Sequence, residues 1–137
     1  YQTTNFKVIL RYLWYWCYFG SCSCKKATYK VGLPFNMFVM GGHPQLEGGL
    51  KMTCFNPMII SSSDETVSMK EGCLTFPFVF LTITRPRKVV VKYEDENGDL
   101  QEGQLDGMIS RIFQHEYDHM LGKTFIDGQS KYKLDRA

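Results

Sequence analysis

From Val31 onward, apolar and polar positions fall into short runs punctuated by turn residues. "VGLPFNMFVM" (31–40) places a turn at Gly32 and Pro34 ahead of a short apolar strand, and "KMTCFNPMII" (51–60) alternates as a second strand kinked at Pro57. "SSSDET" is a polar loop. "VSMKEGCLTFPFVFLTITRP" (67–86) carries β-branched and aromatic residues in two runs either side of Pro77, both reading as strand. "KVVVKYEDENGDLQEGQL" (88–105) predicts two strands joined by a turn at Asn97-Gly98. The period then changes. Between Asp106 and Leu121, at about 100° per residue, Ile109, Ile112, Phe113 and Met120 share one stripe, which predicts a helix opened by Asp106 as N-cap and closed by Gly122. Strands preceding a single central helix make the expected fold α+β, with antiparallel or mixed β-sheets packed around that helix. No internal repeat interrupts this order.

The helix carries "QHEYDH", an HExxH pattern. Histidines four apart lie on one face, so His115 and His119 can grip one ion while Glu116 handles a proton. The two imidazoles border the apolar stripe and Glu116 falls within it, where a carboxylate buried without a partner costs several kcal/mol. Two imidazoles leave a metal site incomplete. Zinc proteases with this pattern take a third ligand, Glu or His, from downstream, but the tail after His119 holds neither, only Asp127 and Asp135. The third ligand is therefore expected upstream, where His43 and the five cysteines Cys17, Cys22, Cys24, Cys54 and Cys73 are the candidates. Cys73 has the best setting, because Gly72 before it eases backbone approach and lets a thiolate point out of a strand. Cys22 and Cys24 form a C-x-C pair with no matching second pair.

Composition narrows the class. A chain of 137 residues that is 44% hydrophobic and 15% aromatic buries one core and is expected to form one domain. Formal charge is +2, with basic and acidic residues interspersed, so neither nucleic acid nor an anionic membrane is an expected direct partner. An odd, unevenly spaced set of cysteines fits a reducing compartment, here the cytoplasm. The apolar run "YLWYWCYF" (12–19) is far shorter than the roughly 20 residues that span a bilayer. A first residue Tyr1 in place of methionine fits a fragment.

"EGCLTFP" followed by "QHEYDHMLGKTFID" resembles the second and third signature motifs of the peptide deformylases, with "VGLPFNMFVM", "FNPMI" and the "RPRKVVVKYEDENG" hairpin in the expected order. The resemblance runs from about Val31 to the end. It implies an enzyme that removes the formyl group from the N-terminal methionine of nascent proteins at the ribosome, and acts as a monomer. It implies one divalent ion, iron(II) first and zinc, nickel or cobalt as alternatives, held by Cys73, His115 and His119. Glu116 becomes general base and acid, and the Leu74 backbone N–H a donor to the oxyanion. Gly72, Met69, Met108, Arg111 and Ile112 would contact the substrate or line the pocket for its methionine, an unbranched thioether. The early end after "FID" is similar to short phage and organelle-type members.

The first motif of that family, Gly-x-Gly-(apolar)-Ala-Ala-x-Gln, is replaced here by "SCSCKKATYK", with Lys30 where the oxyanion-binding glutamine belongs. Residues 1–30 are thus expected to form an anomalous segment ahead of a catalytic domain at 31–137, and a frameshift in the underlying gene would be one explanation of the break. Loss of one such donor typically costs about 10²- to 10³-fold in rate. The alternative expectation is therefore an inactive or defective metal-binding homologue.

Overall fold

The structure, a computed structural model, describes residues 36–41, 51–73 and 76–130. The elements in order are β1 (Met37–Gly41), β2 (Lys51–Ser62), β3 (Thr66–Cys73), β4 (Phe76–Pro86), β5 (Lys88–Glu94), β6 (Leu100–Asp106) and α1 (Gly107–Met120). They form a four-stranded sheet in the order β1-β2-β5-β6 and a two-stranded sheet β3-β4, with every pairing antiparallel. The α+β architecture read from the sequence is the observed one. The boundary expected between residues 30 and 31 lies outside the described residues.

Local chemistry explains most element ends. At the β5–β6 turn the Asp95 carboxylate accepts from the backbone N–H groups of Asn97 at 2.9 Å and Asp99 at 3.0 Å, while Gly98 takes φ +84°. Pro57 cannot donate to a ladder, and β2 shifts register against β5 between Phe55 and Met58. Pro77, expected between two strands, lies instead inside β4. The pairing jumps from Gly72–Phe80 to Cys73–Phe76, so residues 77–79 bulge away from β3 and a proline there removes no ladder bond.

The start of α1 also departs from expectation. Asp106 is the N-cap but makes no side-chain capping bond. Its carboxylate accepts from the Arg87 guanidinium at 3.0 Å and sits 3.9 Å from Lys88 Nζ, and charged donors outcompete a neutral backbone amide. The C-terminal end follows the sequence. Gly122, at φ +74°, donates to the His119 carbonyl, and Lys123 donates to the Asp118 carbonyl, the paired bonds of a Schellman turn.

One face of α1 packs on the larger sheet, with Ile112 and Phe113 against Phe38, Met40, Cys54, Val89 and Val91. The Phe38 and Phe113 rings meet edge to face at 5.1 Å. The opposite face meets the β3–β4 hairpin, where Cys73, Leu81, Ile83 and Phe125 form a second cluster, with the Phe125 ring 6.0 Å from that of His115. Burial is therefore continuous from Ser110 to Glu116, wider than the single predicted stripe, while Ile109 and Met120 stay half-buried. A helix covered from two sides buries polar residues as well as apolar ones. That placement creates the site.

Candidate metal centre

Strand alternation turns Glu71 and Cys73 to the same, buried face of β3, with Gly72 half-buried between them and Lys70 exposed just before. Helical spacing stacks His115 and His119 one turn apart on α1. The two elements meet with Cys73 Sγ 3.2 Å from His119 Nε2, and His119 Nε2 3.0 Å from His115 Nε2. All three side chains are buried, and their ligand atoms lie within 4.8 Å of one another.

The donor set fits a divalent ion. His115 Nδ1 lies 3.0 Å from Glu71 Oε2, and His119 Nδ1 lies 3.2 Å from the Lys123 carbonyl. Each outer nitrogen thus has an acceptor for its proton, which leaves both Nε2 lone pairs aimed at the point Cys73 faces. One thiolate and two imidazoles suit a late first-row ion. Cys54, the other described free cysteine, is excluded: burial pushes its thiol up to about 12, so it stays protonated within the larger core.

Glu71 is the hub of the electrostatics and is absent from the sequence-based set. Its carboxylate accepts from Arg85 Nε at 2.7 Å and Nη2 at 3.1 Å, and from Arg111 Nη1 at 2.7 Å. Arg85 Nη1 continues to Asp118 at 2.6 Å. Burial alone would raise the Glu71 carboxyl, but His115 and the two guanidinium groups overcome it and hold the pKa at about 2. For His115 burial opposes protonation, yet the contacts with Cys73 and Glu71 win and lift it to about 9, so a metal ion bound at Nε2 has to displace a proton there. The signal for Glu71 was legible: two residues before Cys73, a strand carboxylate shares its face. Arg85 shows no comparable sequence signal beyond its place in strand phase with Leu81 and Ile83.

The remaining expected residues divide. Glu116 is 1% exposed, next to His115 on α1. Ile112 is in the core, Met108 packs half-buried against it, and Met69 is half-buried on β3. Gly72 lies against the Phe80 ring, where an added Cβ would come within 2.7 Å of Phe80 Cε1. Arg111, expected beside the substrate, has its guanidinium on Glu71 and on the carbonyls of Ile83, at 2.8 Å, and Val67. Leu74, Lys30, His43, Cys17, Cys22 and Cys24 lie outside the described residues.

An α+β domain in which one strand and one helix bring a thiol and two imidazoles to a point has the build of a single-ion metal protein. The family model for polypeptide deformylase matches residues 4–135. The peptide deformylase of Bartonella henselae is 35% identical over 109 residues, covering 80% of this chain and 62% of that protein. That of Thermotoga neapolitana is 39% identical over 101 residues, covering 74% and 58%. A crystal structure of Arabidopsis thaliana peptide deformylase 1B with an inhibitor superposes with a TM-score of 0.83 at 32% identity, covering 97% of this chain and 73% of that one. The chain belongs to the polypeptide deformylase family. It spans about three fifths of the length of the two bacterial relatives.

Proposed function

We propose that the protein hydrolyses the N-formyl group from the terminal methionine of nascent peptides. The observation that carries this reading is the convergence of Cys73, His115 and His119 beside the buried Glu116. What a divalent ion contributes in such a site is acidity, lowering the pKa of water from about 15.7 toward about 7. Iron(II) is the first choice on this reading, with zinc, nickel and cobalt as substitutes. Glu116 accepts the proton of the attacking water and delivers it to the amine nitrogen as the formyl C–N bond breaks, so that formate and a free amino terminus are released. The Leu74 N–H donates to the oxyanion. Gly72 lets the peptide backbone approach, and Met69, Met108, Ile112 and the methylene stem of Arg111 offer apolar surface to the substrate's thioether.

Such a reaction belongs in the cytoplasm, on chains emerging from the ribosome, and needs only a monomer with no direct nucleic-acid or membrane contact. Among the described residues no helix is long and apolar enough to cross a membrane. Formate release from a formyl-methionyl peptide, with iron(II) or nickel supplied anaerobically, tests the proposal. Release that is abolished by chelator is expected. A second reading, a homologue that binds metal without turnover, rests on Lys30 at the place of the oxyanion glutamine. One equivalent of bound ion with no formate release would establish that second reading and overturn the first.

A further inference from the structure

We propose that the Arg111 guanidinium is a positioning group for the metal centre, acting through Glu71 on His115 and through two backbone carbonyls on the hairpin that carries Cys73. This rests on the reading that Cys73, His115 and His119 hold the ion. The ligands come from two separate elements: Cys73 ends β3, and both histidines are on α1. Whatever fixes the hairpin against the helix therefore fixes the distance between sulfur and nitrogen donors.

Arg111 is one helical turn before His115, so both side chains leave α1 on the face that meets the hairpin. Its fork reaches both strands. Nη1 donates to Glu71 Oε1 at 2.7 Å and to the Ile83 carbonyl of β4 at 2.8 Å, while Nη2 donates to the Val67 carbonyl of β3. Both the guanidinium and the Glu71 carboxylate are buried, at 7% and 6% side-chain exposure. The carboxylate is divided between tasks. Oε1 takes Arg85 Nε and Arg111 Nη1, and Oε2 takes Arg85 Nη2 and His115 Nδ1. Arg85 is itself on the hairpin, so it moves with Glu71 and reaches α1 only at Asp118, where the side chain is 31% exposed. Arg111 is the cation that holds Oε1 from the helix side and so leaves Oε2 over the imidazole. Only a planar fork satisfies acceptors on both strands at once, and a lysine ammonium lacks that geometry.

Outer partners of metal-bound histidines are commonly worth 10- to 100-fold in metal affinity. The test uses Arg111→Met, which keeps an unbranched apolar stem and removes the fork, together with Arg111→Lys and the charge-balanced double variant Glu71→Gln/Arg111→Met. Cobalt(II) affinity is measured by competition with a chelator, and the thiolate-to-cobalt absorption band reports the sulfur–metal geometry. Arg111→Met should bind cobalt roughly 10- to 100-fold more weakly with a shifted band, and Arg111→Lys should fail to restore either. The double variant buries no unpaired charge, so it remains measurable if Arg111→Met unfolds, and its loss should fall short of the sum of the Glu71→Gln and Arg111→Met losses because the route through Glu71 is shared. Wild-type affinity and an unshifted band in Arg111→Met would overturn the inference, as would independent, additive losses. A role confined to folding would lower Tm and leave the band of the bound fraction unchanged, which also overturns it. A wild-type protein that takes up no cobalt would instead overturn the ligand assignment on which the inference stands.

Discussion

At Glu71 a single buried carboxylate serves one imidazole and two guanidinium groups, and its energetics can be followed by pH. Its folded pKa of about 2 lies below the ordinary value of 4.5, so the ionised form is favoured by folding. The stabilisation is fully present above about pH 4.5 and is lost as pH falls through the folded pKa of about 2. Glu71→Gln should therefore unfold more easily than wild type at pH 7, by on the order of 3–5 kcal/mol, because Arg111 loses its counter-charge and Arg85 keeps only Asp118. The gap should close as pH is lowered toward about 2. Urea titrations of the metal-free proteins across that range measure this, and a gap independent of pH would contradict the network. Glu116→Gln probes the chemistry at the same scale. It keeps size and hydrogen bonding but cannot accept a proton, so metal content should hold while kcat falls by about 10² or more. A variant that keeps full turnover would remove Glu116 as the base. Helical spacing singled out His115, Glu116 and His119 in the sequence, and the glycine before Cys73 together with the family motif singled out that cysteine, and the structure brings the thiol and the two imidazoles together. The destination of the Arg111 guanidinium was not, since helical periodicity gives a direction for the side chain but not which strand carbonyls wait at the end of a long stem.

At the scale of elements, the end of α1 is part of the site. Gly122 at φ +74° reverses the chain so that the Lys123 carbonyl returns to within 3.2 Å of His119 Nδ1. Gly122→Ala forces a Cβ into the left-handed region at a cost of about 1–2 kcal/mol. It should lower the urea midpoint accordingly and speed metal loss, because the acceptor that fixes the His119 tautomer shifts. An unchanged dissociation rate would show that the turn closes the helix without serving the ligand. The sequence announced this cap through Gly122, and the β5–β6 hairpin through Asn97-Gly98, since both depend on neighbouring residues. It misplaced the β3–β4 break at Pro77 because a bulge, which depends on the partner strand, gives proline an unpaired position. Asp106 was similarly diverted from capping by Arg87, which lies opposite it only after β5 and β6 pair.

For the whole molecule, α1 is the layer that joins the two sheets, and the metal ligands span one of its two joints. The larger sheet holds α1 through a wide apolar core, whereas the hairpin holds it through the buried ion pairs, the smaller Cys73–Leu81–Ile83–Phe125 cluster and the ligand triad. An ion bound by Cys73 from one side and by His115 and His119 from the other is therefore a cross-link at the weaker joint, and it binds the folded state alone. At an ion concentration about 100 times Kd the stabilisation is about 2.7 kcal/mol, which for a domain of this size raises Tm by roughly 10 °C. Adding chelator should reverse that shift in wild type and leave Tm unmoved in Cys73→Ser, in which the sulfur ligand is gone. Hydrogen exchange should locate the change. Amides of β3 and β4 should lose protection on chelation well before those of β1, β2 and β5, whose hydrogen bonds are anchored by the larger core. Equal loss of protection in both sheets would mean that the ion stabilises the molecule globally, and that the hairpin is not the joint it secures.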